Sequence, residues 1–556
     1  MHVAARLMRM LKEAGVDYLF GNPGTTELPF LDALDGSGID YVVALQEATA
    51  VAAADGYAQA SGRLGVVNLH VAPGVANGLS ILHNAARART PLLVTAGQQD
   101  TRLLLGEPIL AADMVQLTEQ LTKWSHEVRS ASEAPAALRR AISLAQTPPT
   151  GPVFLSLPMD LMSEPVDDVD AGSTSTSVAR TEPDGDAVAR AAALLGAARA
   201  PVIVAGDGVA RAGARAELRA LAELVGAAVH GEPIHRRLSF PADHPLWRGG
   251  LFPAAASVRK SLERADCVLV VGASVFTWLF HTPGSPFRPG LPLIQLDDDG
   301  REIGRTYPVD CGIVADVRRG LAALHTAVAG CLGVVERAAA DARAAVIGRA
   351  RREHAARLAA EAEAAAARTP ISPAFLMHTL ASVLPPDAAV VDESASSLPH
   401  VLRHLPFGSA ADFFGSKTGT LGWAMGAALG VQLACPGRTV VATVGDGSLM
   451  YAPQALWTAA RYRLPVTYVV VNNASYAILK SGMVTLGLPS AKRGVYPGMD
   501  LVDPEIDYVA LARGLGVDAT RVDKPAMLRE ALAHALGSPR PALVDVAIER
   551  SFEAML

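Results

Sequence analysis

Residues 439–473 read TVVATVGDGSLMYAPQALWTAARYRLPVTYVVVNN, and this stretch decides the fold. Thr439–Val444 is a short apolar, β-branched run of the kind buried inside a parallel sheet. It leads directly into Gly445-Asp446-Gly447-Ser448. A helical stretch follows, and a second apolar run, VTYVVV, ends in Asn472-Asn473. A strand, a helix and a strand in this order make a βαβ unit, whose two strands run parallel. Asp446 and Asn473 therefore both stand at the carboxyl edge of the sheet, where open α/β sheets bind ligands. They offer one carboxylate and one amide oxygen, too few hard donors to close the shell of a divalent ion. Mg²⁺ suits such a site, because phosphate oxygens and water complete its octahedron. Gly445 and Gly447 carry no side chain to keep a diphosphate from the backbone, and Ser448 can donate to one.

The same alternation extends outward in both directions. Upstream, strands are expected at Tyr18–Gly21, Tyr41–Leu45, Gly65–His70, Pro91–Ala96 and Val153–Leu157, with helices over Thr49–Ala60 and Gly78–Ala88. From residue 159 the chain turns acidic and rich in Ser, Thr and Gly, which reads as a linker. A second β-α region has strands at Pro201–Gly206, Cys267–Gly272 and Pro292–Leu296. A charged, Ala-rich stretch from Glu336 to Thr369 then reads as an exposed helix closed off by Pro370. Strands at Ala389–Asp392 and Ala542–Val546 flank the opening motif. The expectation is an α/β protein of three doubly wound parallel-sheet domains, at 1–165, 185–335 and 370–556.

Composition agrees and excludes other classes. The 556 residues are 50% apolar and 19% charged, with 49 basic and 55 acidic side chains. A net charge of −6 gives no basic footprint for nucleic acid. The four cysteines form no C-x-x-C pair, so neither a zinc ribbon nor a disulfide framework is expected. Charges interrupt the N-terminal helical pattern, and no apolar run reaches membrane-spanning length. A cytoplasmic protein, away from membranes, is the expectation.

Two further motifs carry chemistry. Glu47 closes the strand run YVVALQ before an Ala-rich helix, where an unpaired carboxylate would be costly. In the second domain GDGVARAG (Gly206–Gly213) follows PVIVAG. It spells Gly-x-Gly-x-x-Arg and lacks a placed acidic partner for a ribose, so it reads as a turn and not as a dinucleotide site.

The GDGS–NN pattern resembles the cofactor motif of thiamine diphosphate-dependent enzymes. FGNPGTTELPF (20–30), LQEA (45–48), NLH (68–70), TAGQQ (95–99), GPVFLSLP (151–158) and LGWAMGAALGVQLA (421–434) resemble the 2-oxoacid decarboxylases of that family, the benzoylformate decarboxylases above all. The resemblance implies pyrimidine-binding, middle and diphosphate-binding domains. It also implies a homodimer at minimum, typically a homotetramer, with each active site between the first domain of one subunit and the third domain of another. It implies that Glu47 bonds the pyrimidine of thiamine diphosphate, that the Gly419 carbonyl accepts from its amino group, and that Leu421 bends the cofactor. Asp446, Asn473 and the Ser475 carbonyl would hold Mg²⁺, while Ser396, Gly447 and Ser448 would meet the diphosphate. His70 would be catalytic, Thr25 would bind the substrate carboxylate, Glu27 would order their loop, and His281 would be the second active-site histidine. Ala395 stands where the family often has a hydroxyl.

The implied reaction is decarboxylation of a small-molecule 2-oxoacid to an aldehyde and CO₂. An acetolactate synthase-like carboligase and a non-catalytic nucleotide-binding protein are the alternatives. The family's aromatic pocket walls are replaced here by Gly415-Ser416-Lys417 and Ser481-Gly482, so a bulkier or more polar substrate than benzoylformate is expected. Ile109, Leu110, Ile478 and Leu479 would supply apolar walls. Lys417 reads as a surface lysine or a cation at the entrance, and Met483–Met499 as a loop that could close as a lid.

Overall fold

The computed structural model describes residues 1–167, 180–405, 407–408 and 412–555. Positions 168–179 of the expected linker lie outside the described residues. The rest forms three six-stranded sheets, parallel throughout. The first contains β1 (Tyr18–Gly21), β2 (Asp40–Val43), β3 (Gly65–Leu69), β4 (Leu92–Gln98), β5 (Ser125–Glu127) and β6 (Val153–Pro158), in the order β2-β1-β3-β4-β6-β5. The second contains β7 (Pro201–Ala205), β8 (Ala228–Gly231), β9 (Trp247–Gly250), β10 (Cys267–Val271), β11 (Leu293–Asp297) and β12 (Cys311–Val314), in the order β12-β11-β10-β7-β8-β9. The third contains β13 (Ala389–Glu393), β14 (Asp412–Gly415), β15 (Val440–Gly445), β16 (Val466–Asn472), β17 (Asp518–Val522) and β18 (Ala542–Ala547), in the order β14-β13-β15-β16-β18-β17.

Counted within each sheet, the first and third share one topology. Strand order reverses between β1 and β3 in one and between β13 and β15 in the other. That reversal opens a crevice at the carboxyl ends of the strands. The middle sheet has the order of a nucleotide-binding domain, with its reversal between β7 and β10.

The first and third domains pack through two Ala- and Gly-rich helices, Glu47–Ser61 and Trp423–Ala434. Their backbones touch. A Cβ on Gly430 would lie 1.8 Å from the Ala53 carbonyl oxygen, and one on Gly56 would lie 2.2 Å from that of Ala427. Only glycine permits such an approach, and burial of both helices repays its conformational cost. The crossing places Glu47 at the start of a helix wedged between two sheets. The Ala-rich linker forms a long helix, Val334–Ala364, with Ala340, Gly348 and Ala362 its buried positions. All four cysteines are free, and no described helix is long and apolar enough to cross a membrane.

Candidate active site

In the first domain the chain leaving each of β1, β2, β3 and β4 contributes to one cluster. Glu47 is the first residue of its helix and is 7% exposed. Its Oε1 accepts from Asn22 Nδ2 at 3.0 Å and its Oε2 from Asn77 Nδ2 at 2.9 Å. These neutral donors satisfy the buried carboxylate without a counter-ion. Gly74 leaves the space beside it, since a Cβ there would sit 3.4 Å from the Glu47 Cγ.

His70 follows β3 and caps helix Val71–Ala88. Glu27 Oε2 lies 2.8 Å from His70 Nδ1, and the Glu27 side chain is 1% exposed. A carboxylate can only accept, so Nδ1 carries the proton and Nε2 is the nitrogen left free of this contact. Glu27 Oε1 accepts from Thr26 Oγ1 and from Gly97 N, each at 2.8 Å. Loop ordering by Glu27 thus has a defined form: it fixes the tautomer of His70. The hydroxyl in this cluster belongs to Thr26, which lies 3.3 Å from His70 Nδ1, whereas Thr25 is exposed. A short 3-10 turn, Thr25–Glu27, turns adjacent residues to opposite sides, and spacing alone could not choose between them.

The third domain builds the complementary cluster. Asp446 directly follows β15 and is 3% exposed. Burial pushes its carboxyl up to about 6, although the amides of Gly447, Ser475 and Ala474 favour the charge. Its Oδ2 is buried without a hydrogen-bond partner. Asn473, just past β16, is 6% exposed, and its Oδ1 accepts from Ser475 N at 3.0 Å. Ser475 pairs with Asp500 through the Ala474 carbonyl and the Tyr476 amide, which leaves its own carbonyl outside that pairing. An orphaned carboxylate oxygen, an amide oxygen and a backbone carbonyl suit a hard divalent ion, which would repay the cost of the buried charge. Among the described residues no three His, Cys, Asp or Glu side chains cluster to hold a metal, so a site here would be of the oxygen-donor kind.

Ser448 is buried and Ser396 half-buried, each just beyond its strand end. Gly447 is required for packing as well as for access: a Cβ there would meet the Tyr476 ring at 2.5 Å. Gly419 is exposed, with φ 72°, and Leu421 is half-buried. Three non-glycine residues with positive φ adjoin these groups: Val71 (39°), Ala395 (44°) and Ala474 (50°). Such backbone costs energy and concentrates at functional sites.

Several expectations change. Lys417 is neither on the surface nor at an entrance. Its side chain is 15% exposed and pairs with Asp207 and Glu232, each at 2.8 Å. Met483–Met499 is not an open loop. Helix Ala477–Thr485 covers its start, Pro489–Lys492 forms a second helix, and the C-terminal tail lies against the first helix and Tyr496. Met555 N donates to Thr485 Oγ1 at 2.8 Å, and the rings of Phe552 and Tyr496 meet edge to face. Met555 Cε also comes within 3.6 Å of a Cβ placed on Gly482, so the chain itself fills the space beside that glycine. His281 is exposed on the loop after β10 and makes no side-chain hydrogen bond to a described residue. Ile109 is 80% and Leu479 is 50% exposed, and Ile478 is half-buried. In the middle domain Gly206 and Gly208 serve a close backbone approach to Gly272, and the Asp207 carboxylate faces Lys417. The segment expected as a turn forms a short helix, Asp207–Arg211, directly after the strand.

Comparison with known proteins gives one consistent answer. Residues 1–122 match the N-terminal TPP binding domain of thiamine pyrophosphate enzymes, 188–324 the central domain, and 397–546 the C-terminal TPP binding domain. A benzoylformate decarboxylase of Pseudomonas aeruginosa is 35% identical over 97% of this chain and 97% of its own. An acetolactate synthase large subunit of Parasynechococcus marenigrum is 29% identical over 98% of this chain and 87% of its own. The solved thiamine diphosphate-dependent 4-hydroxybenzoylformate decarboxylase of Rhodococcus jostii superposes with a TM-score of 0.87 at 31% identity, covering 99% of this chain and 100% of that one. With matched domains, shared topology and similarity along its full length, the chain belongs to the thiamine diphosphate-dependent decarboxylase family and is benzoylformate decarboxylase-like.

Proposed function

We propose that this protein decarboxylates an aryl or similarly bulky 2-oxoacid to an aldehyde, using thiamine diphosphate and Mg²⁺. The observation that carries this reading is the Glu27–His70 dyad beside Glu47. The dyad supports this reading because an imidazole held by Glu27, suited to proton transfer, borders the same glycine, Gly74, as the carboxylate that would bond the cofactor. Bound thiamine diphosphate would supply the nucleophilic carbon and the electron sink. Glu47 would hold a proton at the pyrimidine nitrogen, and Asn22 and Asn77 would keep its carboxylate aimed there. The free Nε2 of His70 would move a proton at the reacting carbon. Asp446, Asn473 and the Ser475 carbonyl would hold Mg²⁺, with Ser396, Gly447 and Ser448 about the diphosphate. Gly419 and Leu421 would orient the pyrimidine. Thr25, at the exposed mouth of the first cluster, is a candidate contact for the substrate carboxylate. His281 would reach a site only by movement of its loop.

Within one chain Glu47 bonds first-domain residues and Asp446 third-domain residues, so each domain carries half of a site. Exposed apolar residues flank both halves: Leu28, Leu45 and Leu105 in the first domain, and Met450, Tyr451 and Leu486 in the third. These support a homodimer or homotetramer whose sites combine the halves across subunits, and a cytoplasmic location belongs to the same reading. The domain limits 1–165, 185–335 and 370–556 follow the same reading.

The test is a panel of 2-oxoacids assayed for CO₂ and aldehyde with thiamine diphosphate and Mg²⁺. Aryl 2-oxoacids should lead, and absence of CO₂ release from all of them would refute the proposal. The acetolactate synthase relatives support carboligation as a second reading, and ligated product formed only when an acceptor aldehyde is added would favour it.

A further inference from the structure

The segment Ser416–Gly422, which carries Gly419 and Leu421, is anchored by all three domains. From the first, Asn84 Oδ1 accepts from Lys417 N at 2.7 Å, Ser416 Oγ at 3.1 Å and Thr418 N at 3.3 Å. Asn84 is itself fixed, since its Nδ2 donates to Asp55 Oδ2 at 2.9 Å. That oxygen also accepts from Trp423 Nε1 at 2.7 Å. From the middle domain, Asp207 Oδ2, Glu232 Oε1 and the Ile234 carbonyl each accept from Lys417 Nζ at 2.8 Å. Arg236 Nε donates to the Ser416 carbonyl at 2.7 Å. From the third domain, Glu393 accepts from Gly422 N at 2.6 Å and Ala424 N at 2.7 Å. Between these anchors Gly419–Leu421 is the part left to meet a ligand.

The Lys417 ammonium has three protons, and all three are used. Its partners come from two separate strand ends, Asp207 after β7 and Glu232 after β8, so the nitrogen is located in space and not merely neutralised. Fold stability alone is a poor reason for such a group. Desolvating an ammonium and two carboxylates is costly, and well-packed apolar residues often serve as well. What the ionic arrangement adds is direction.

We propose that Lys417 is a positioning residue, which with Asp207, Glu232 and Asn84 sets the Thr418–Leu421 turn for the pyrimidine side of thiamine diphosphate. The inference rests on the cofactor reading above. It assigns the middle domain a task in cofactor binding, although none of the residues proposed above to hold the cofactor lies in that domain.

The charged and titratable groups about Lys417 are Asp207, Glu232, His235 and Arg236, with Asp392 beyond Arg236. Lys417→Met leaves Asp207 and Glu232 facing each other without the ammonium that joins them, with Arg236 the nearest remaining cation. The double variant K417M/E232Q removes that repulsion and guards against loss of fold. Each variant and the parent should be titrated calorimetrically with thiamine diphosphate and, separately, with inorganic pyrophosphate, both with Mg²⁺. Pyrophosphate lacks the pyrimidine, so it reports the metal and diphosphate half alone. We expect the Kd for thiamine diphosphate to rise tenfold or more in the folded variants, with that for pyrophosphate within twofold of the parent. A thiamine diphosphate Kd within twofold of the parent would overturn the positioning role and leave the cofactor reading standing. So would an equal rise for both ligands, which marks general loosening. A parent that does not bind thiamine diphosphate would overturn both.

Discussion

Glu47 and Asp446 are both buried carboxylates at strand ends, yet their surroundings differ in a way that predicts different losses. Glu47 has an amide donor on each oxygen and needs no cation. Glu47→Gln should therefore fold and bind thiamine diphosphate, but turnover should fall about 10²–10⁴-fold, the usual scale of lost proton transfer. Exchange of the cofactor's C2 proton, followed by NMR, checks this, and a parental exchange rate would remove Glu47 from its role. Asp446 has one oxygen without a partner. Asp446→Ala should abolish Mg²⁺-dependent cofactor binding, and calorimetry with raised Mg²⁺ should show no recovery. Undiminished affinity would place the metal elsewhere. Both carboxylates were legible in the sequence because each ends an apolar run. Lys417 was not, because its partners lie some 200 positions away and only the fold brings Asp207 and Glu232 to it. Thr26 was missed for a smaller reason: a single 3-10 turn decides which of two neighbouring threonines faces His70.

At the scale of elements, apolar runs located the central strands of all three sheets except the half-buried β8, since strands buried on both faces leave continuous hydrophobic sequence. The strands left unread are mostly at sheet edges. β5, β9, β12, β14 and β17 each have one neighbour, and each contains exposed or half-buried positions that leave little continuous apolar sequence to mark it. Met483–Met499 read as a loop because its helical stretches are short and the C-terminal tail meets it at Thr485 and Tyr496, contacts that no local pattern encodes. One edge-side strand has a measurable consequence. Burial pushes the His230 imidazole in β8, and that of His235 just beyond it, down to about 4. The unfolded chain takes up these protons near pH 6.5, whereas the folded chain refuses them until about pH 4. Stability from this source is complete above pH 6.5 and drains away as the pH falls toward 4, by on the order of 1–3 kcal/mol for each histidine. His230→Gln keeps a donor for the Gly249 carbonyl and removes the titration. Its melting temperature should fall less between pH 7 and 4.5 than the parent's. An equal fall in both proteins would show that His230 does not drive acid unfolding.

For the whole molecule, the matched first and third sheets explain why one chain carries two half-sites. Their shared topology puts ligand-facing strand ends on both domains, and the glycine-lined crossing of helices Glu47–Ser61 and Trp423–Ala434 welds the domains back to back. In the function proposed above, each half-site finds its complement on another subunit. This arrangement makes a prediction that a single-chain site could not satisfy. Glu47→Gln and Asp446→Ala chains are each expected to be inactive alone. In a mixed dimer, one site receives Glu47 from the D446A chain and Asp446 from the E47Q chain, while the other receives both lesions. Random reassortment makes half of the dimers mixed, each with one competent site of two, so about a quarter of parental activity should return on co-refolding or co-expression. Activity should follow the product of the two chains' mole fractions and peak at equal amounts. If each chain instead holds a complete site, every site in the mixture carries a lesion and no ratio restores activity.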